Sequence, residues 1–155
     1  MEHSHARAPR SSAQQTASHG RRLLRVLVMD DDQDTLDVLK LILSPEEGIT
    51  MVGCADPATC LDYLRAAMRG EIPPFDVLML DLMLPGGHVG TEVLEACDSG
   101  AADAPRLPPV VVCTALANAA LAAYLPLLDR YGARLVHKPF GIDTILAELR
   151  AAAGV

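Results

Sequence analysis

Leu24-Arg25-Val26-Leu27-Val28-Met29, closed by Asp30-Asp31-Asp32, is the stretch whose reading decides the fold of this chain. A short apolar run that stops at three carboxylates reads as a strand buried on both faces of a parallel sheet. The same device recurs further on. Residues 76–80 end in Asp81, residues 110–113 end in Thr114, and residues 135–137 end in Lys138-Pro139-Phe140. In an open parallel sheet the ligand crevice lies beyond the carboxyl ends of the strands. The four ends therefore predict one crevice with several carboxylates, a hydroxyl and an amine, a set suited to a divalent cation and a phosphoryl group.

Helical periodicity fills the gaps between these runs. Residues 34–43 place Leu36, Leu39, Ile42 and Leu43 on one face, and Ser44-Pro45 stops them. A strand at 50–55 leads to a helix at 57–68, with Pro57 in its first turn and Gly70 past its end. After the strand at 76–80 comes a helix at 90–97, then a Pro-rich loop and the strand at 110–113. Residues 116–131 read as a fourth helix that buries Leu116, Leu121, Leu125 and Leu128, with Pro126 as a kink or break. A strand at 134–137 and a helix at 142–152 complete the pattern. Alternating strand and helix predicts an α/β fold, a doubly wound five-stranded parallel sheet with helices on both faces.

Bulk properties agree with one such domain in 155 residues. Only 3% of the residues are aromatic, so aliphatic side chains must fill the core. The net charge of -7 is unevenly spread: the first 25 residues carry five arginines against Glu2, a net of +4, leaving -11 for the rest. An acidic domain without Trp offers neither a phosphate-binding field nor a stacking platform, which argues against direct nucleic-acid binding. Residues 1–22 lack periodicity and are expected to form a disordered basic tail ahead of a domain at 23–155. Cys54, Cys60, Cys97 and Cys113 show no CxxC spacing and read as buried, reduced thiols. The first 25 residues lack the apolar core of a signal peptide. Residues 110–128 contain no charge and are long enough to cross a bilayer, but Thr114, Asn118, Pro126 and six alanines make a strand and an Ala-rich helix the better reading. No membrane contact and a cytoplasmic location are expected.

Single signals have ordinary explanations. Three aspartates could simply cap a helix. Asp30, Asp32 and Asp34 imitate the start of a calcium loop, but Thr35 and Leu41 occupy its glycine and final glutamate positions. Asp81 resists such treatment, because a carboxylate among Leu80, Leu82, Met83 and Leu84 is costly unless something pairs with it.

Taken together, Val26–Asp34, Asp76–Gly86, Val111–Ala115 and His137–Phe140 resemble, in order, the motifs of a response-regulator receiver domain of two-component signalling. The resemblance covers about residues 23–154 and implies the flavodoxin-like strand order 2-1-3-4-5. It implies that Asp81 accepts a phosphoryl group from a sensor histidine kinase or phosphotransfer protein. It further implies that Asp30 and Asp31, with Asp81 and the Met83 carbonyl, hold Mg²⁺, Asp30 acting through a bound water. Thr114 and Lys138 would bind phosphoryl oxygens, and Lys138-Pro139 would be cis. The signal would leave through the fourth helix, fifth strand and fifth helix, to a downstream protein or a second copy in a phosphorylation-dependent homodimer. No independent enzymatic activity is expected, and the end of the chain at Val155 reads as a stand-alone receiver.

This sequence departs from the family pattern at two places. Leu135 stands where Tyr or Phe is usual, and the loop Gly86-Gly87-His88-Val89-Gly90 is about one residue longer than usual. Two other readings compete. A haloacid-dehalogenase-type phosphohydrolase would use Asp30-x-Asp32-x-Thr, but Asp34 stands where Thr or Val belongs and Asp81 would have no role. A binding-only receiver would never use its site, although all the key side chains are present.

Overall fold

The computed structural model describes residues 22–82 and 89–155. Apart from Arg22, the expected basic tail lies outside the described residues, as do Met83 and most of the lengthened loop that follows it.

Five strands, β1 (Leu24–Met29), β2 (Ile49–Cys54), β3 (Val77–Asp81), β4 (Val110–Thr114) and β5 (Arg134–His137), pair in parallel in the order β2-β1-β3-β4-β5. This is the expected doubly wound sheet. All five positions of β3 and of β4 are buried, as strands covered on both faces require.

Alternation along the strands divides the core. Val26, Val28, Val77, Met79 and Val111 face one side, where they meet Leu36, Leu39 and Leu43 of the first helical segment and Ile145, Leu146 and Leu149 of the last. Leu27, Met29, Leu78, Leu80 and Val112 face the other side with Leu64, Val93, Leu94, Leu121 and Leu128. Hence α1 (Gln33–Ile42) and α6 (Ile142–Ala153) cover one face, and α2 (Pro57–Met68), α3 (Val89–Cys97), α4 (Asn118–Leu121) and α5 (Leu125–Arg130) cover the other. Right-handed crossovers produce this division.

Local chemistry starts the helices where the chain leaves the sheet. The Asp32 carboxylate caps α1, accepting from the Asp34 N–H at 3.1 Å and the Thr35 hydroxyl at 2.8 Å. Asp56 caps α2 in the same way, accepting from the Thr59 N–H and hydroxyl, both at 2.8 Å.

Several expectations change in detail. Asp81 and Thr114 are the last residues of their strands, with Asp81 in register with Cys113, so the pleat itself fixes their direction. The single helix expected over 116–131 is two short ones joined by a turn at 122–124. Pro126 does not end the first; it stands in the first turn of the second, where its missing N–H is harmless. As a result only Leu121 and Leu128 are buried, Leu116 is half-buried, and Leu125 is exposed. An unpredicted 3-10 turn, Pro45–Glu47, ends at Gly48, whose φ of 79° favours glycine.

Cys54, Cys60 and Cys113 are buried and Cys97 is half-buried, all as free thiols. Burial pushes the Cys113 thiol up to about 12 and that of Cys97 up to about 11, so both stay protonated at neutral pH. Among the described residues, no helix is long and apolar enough to cross a membrane.

Candidate functional site

Asp30 follows β1, Asp81 ends β3, Thr114 ends β4 and Lys138 follows β5. Parallel pairing brings these strand ends to the same edge of the sheet, so residues far apart in sequence converge. Lys138 Nζ donates to Asp81 Oδ2 at 2.9 Å and to Asp30 Oδ2 at 3.0 Å. Asp30 is 4% exposed and Asp81 7%, so two carboxylates share one ammonium with little water around them. Burial alone would suppress the charge on Lys138, but its hydrogen bonds with Asp81 and Asp30 outweigh that and hold its pKa above the ordinary lysine value.

The backbone holds these groups in place. Asp30 Oδ1 accepts the Asp32 N–H at 2.9 Å, and the Asp30 N–H donates to the Cys54 carbonyl at 3.1 Å. The Lys138 N–H donates to the Thr114 carbonyl at 2.8 Å, tying the amine-bearing loop to the neighbouring strand end. The Lys138-Pro139 peptide is cis. Thr114 is fully buried, and its hydroxyl oxygen accepts the Leu116 N–H at 3.1 Å.

Asp31 is exposed, yet one carboxylate oxygen from each of Asp30, Asp31 and Asp81 lies within 4.8 Å of the others. Three hard oxygen donors with no thiolate or imidazole among them suit Mg²⁺ or Ca²⁺ rather than zinc or copper. Met83, the fourth expected ligand, lies outside the described residues, as do Pro85, Gly86, Gly87 and His88.

Some features were not read from the sequence. Asp30 meets Lys138 directly. Thr35 and Phe140 line, with Ala115, Lys138 and Pro139, an open cleft of about 430 Å³ beside the ammonium. Gly90 packs so closely that a Cβ there would stand 2.7 Å from the Asp81 carbonyl oxygen. The glycine-rich composition of its loop was the available signal, but only the fold shows which glycine is needed. Asp32, which the phosphohydrolase motif would include, has both oxygens engaged in capping α1.

The fold and this arrangement define a doubly wound α/β domain of the flavodoxin-like class, with a crevice of carboxylates and one lysine at the carboxyl edge of its sheet. The chain belongs to the response regulator receiver domain family, whose pattern it matches over residues 26–150. It is similar to a protein of Myxococcus xanthus strain DK1622 called protein-glutamate methylesterase/protein-glutamine glutaminase 5. The two are 39% identical over 140 residues, covering 84% of this chain and 37% of that protein. A protein of the same name from Anaeromyxobacter dehalogenans strain 2CP-C is 32% identical over 131 residues, covering 83% of this chain and 33% of its own length. The fold is similar to that of the Vibrio cholerae chemotaxis protein CheY4, with a TM-score of 0.64, 21% identity, and coverage of 84% of this chain and 98% of that one.

The chain thus spans about a third of the length of these curated relatives. Their names correct one expectation. No independent enzymatic activity was expected, but the relatives are named as enzymes, and this chain matches only a part of each.

Proposed function

We propose that this receiver domain takes a phosphoryl group onto Asp81 from a phosphohistidine of a sensor histidine kinase or phosphotransfer protein. The observation that carries this reading is the grip of Lys138 on Asp81 beside two further carboxylates at the sheet's carboxyl edge. An Asp81 oxygen attacks phosphorus, an O–P bond forms, the N–P bond of the donor breaks, and its electron pair returns to the imidazole. Positioning and charge neutralisation carry most of such a transfer. The Lys138 ammonium, already within 3.0 Å of two carboxylates, turns to a phosphoryl oxygen as the Asp81 charge is consumed. The Thr114 oxygen accepts from Leu116, which leaves its O–H to donate to another phosphoryl oxygen. Asp30, Asp31 and the Asp81 carboxylate would hold Mg²⁺, with the Met83 carbonyl, and the ion would neutralise charge on the transferring group.

Output is proposed to pass through the face formed by α4, α5, β5 and α6, where Asn118, Ala119, Ala122 and Ala123 are exposed. The names of the curated relatives support one output in particular, control of a protein-glutamate methylesterase activity. A cytoplasmic location follows from the proposed kinase donor. The test is incubation of the full chain with acetyl phosphate and Mg²⁺, followed by phosphate-affinity electrophoresis. A retarded band is expected for the unaltered protein and none for Asp81→Asn. A band retained in Asp81→Asn refutes the assignment by placing the phosphoryl group on another residue, and a band absent from both refutes it in favour of a receiver that only binds.

A further inference from the structure

The opposite edge of the sheet, at the amino ends of β1 and β3, carries a second concentration of charge that the phosphoryl site does not use. The Arg25 backbone is stitched to Asp76 twice. Its N–H donates to Asp76 Oδ2 at 2.9 Å, and its carbonyl accepts the Asp76 N–H at 2.8 Å. The other Asp76 oxygen takes the Arg22 guanidinium. Asp76 is therefore spent on Arg22 and on backbone. The Arg25 guanidinium instead lies over the Phe75 ring, 4.8 Å from its centroid. Its Nε is buried and has no acceptor among the described residues, and no carboxylate among them pairs with the group.

This cation borders one cavity, and the Phe75 ring beneath it borders a second. One, about 420 Å³, is lined by Arg22, Arg25, Thr50 and Asp76. The other, about 510 Å³, is largely apolar, lined by Leu64, Met68, Phe75 and Leu107, and has Arg106 at its side. Pro74 forms part of both walls, so the two cavities are neighbours, with Phe75 lining one and Arg25 the other. Neighbouring cations have their own partners: Arg65 pairs with Asp62 and Arg69 with Glu71. Arg106, like Arg25, pairs with no carboxylate among the described residues.

We propose that these two neighbouring cavities bind an acidic peptide segment of a partner protein, a carboxylate pairing with Arg25 in one and an apolar side chain entering the other, lined by Leu64 and Leu107. Charge complementarity selects the occupant. A guanidinium with no carboxylate partner among the described residues suits the two oxygens of a carboxylate. A small dianion would face Asp76 and leave the apolar cleft empty. The proposal is independent of the phosphoryl site, which lies at the other ends of the same strands.

The test titrates isotope-labelled full-length protein with a terminally blocked peptide of three glutamates on each side of one leucine. The readouts are the Arg25 Nε–H resonance and the amides of Phe75, Asp76 and Leu107. Saturable shifts confined to these groups are expected. Arg25→Gln should weaken binding about tenfold or more, as loss of a charged hydrogen bond does, and Arg106→Gln by a few-fold. Arg106 is exposed, so that variant remains informative even if Arg25→Gln fails to fold. Replacing the glutamates by glutamines should weaken binding as much as Arg25→Gln does, and replacing the leucine by serine should weaken it further. The proposal is overturned if no saturable shift appears at millimolar peptide or if neither arginine variant alters the affinity. It is also overturned if inorganic phosphate or an oligouridylate matches the peptide.

Discussion

Lys138 Nζ lies 2.9 Å from Asp81 Oδ2, and this contact joins β5 to β3 across the intervening β4. The same ammonium also serves Asp30 at 3.0 Å. One positive charge thus stands between two buried negative ones. Removing it leaves like charges facing each other with little water to separate them. Lys138→Met should lower the free energy of unfolding by about 2–3 kcal/mol in the presence of a chelator. Added Mg²⁺ should restore part of the loss, because a cation held by the same carboxylates replaces the missing charge. Urea denaturation with and without Mg²⁺ checks this. An unchanged midpoint in chelator would mean that the contact carries no net stability.

Asp31 differs from its neighbours in being exposed while still within reach of the buried pair. Among the three carboxylates it has no described hydrogen bond to Lys138, so its charge is the one most available to an incoming cation. Asp31→Asn should weaken Mg²⁺ binding on the order of tenfold and slow phosphorylation by acetyl phosphate in parallel, with little effect on folding. Isothermal titration with Mg²⁺ measures the first effect. Equal affinities for the variant and the unaltered protein would remove Asp31 from the metal site.

The parts of this fold that were legible in the sequence are those written in periodicity. β1 and β5 fall where alternation and apolar runs placed them, and the strand order follows from the motifs that the chain shares with receiver domains. The convergence of Asp30, Asp81 and Lys138 was readable because strand ends of a parallel sheet share an edge. The direct pairing of Asp30 with Lys138 was not, since it depends on side-chain distances that no spacing encodes. A break at Pro126 was expected, but its place just before the proline was not legible, for a related reason. Alanine favours helix throughout 116–131, but helix propensity is a weak prior, and a proline in mid-pattern starts a helix as readily as it stops one. Leu125 became exposed once the chain restarted in a new helix there. The close approach of Gly90 to Asp81 is a tertiary fact with no local signature.

That approach makes Gly90 a sensitive position. A Cβ added there would stand 2.7 Å from the Asp81 carbonyl oxygen and 2.9 Å from Leu82 Cδ2. A side chain could rotate away, but the carbonyl belongs to the last residue of the central strand and cannot move without disturbing its ladder with β4. Gly90→Ala should destabilise the domain by about 1–3 kcal/mol through overpacking. Phosphorylation should slow as well, because the displaced backbone carries Asp81, the proposed acceptor. If thermal unfolding and phosphorylation rate are both unchanged, α3 can shift more freely than this contact indicates.

The last prediction concerns acid stability away from the site. Asp56 caps α2 through the Thr59 N–H and hydroxyl, each at 2.8 Å. Hydrogen bonds with the Thr59 backbone first, and with its hydroxyl second, hold the Asp56 carboxyl below its ordinary value of 3.8. A carboxylate whose pKa is depressed by folding stabilises the folded state above its unfolded value, and the gain is lost as pH falls through the folded value. Asp56→Ala should therefore lower the urea midpoint at neutral pH by an amount that stays constant down to about the ordinary carboxylate pKa and shrinks below it. Asp56→Asn separates charge from geometry, since an asparagine oxygen can still accept the Thr59 N–H. Its midpoint should lie close to the unaltered protein's, and the small difference should close as the solution becomes acidic. A gap between Asp56→Ala and the unaltered protein that widens toward pH 3 would reverse the expected sign and show that the cap acts through something other than the ionised carboxylate.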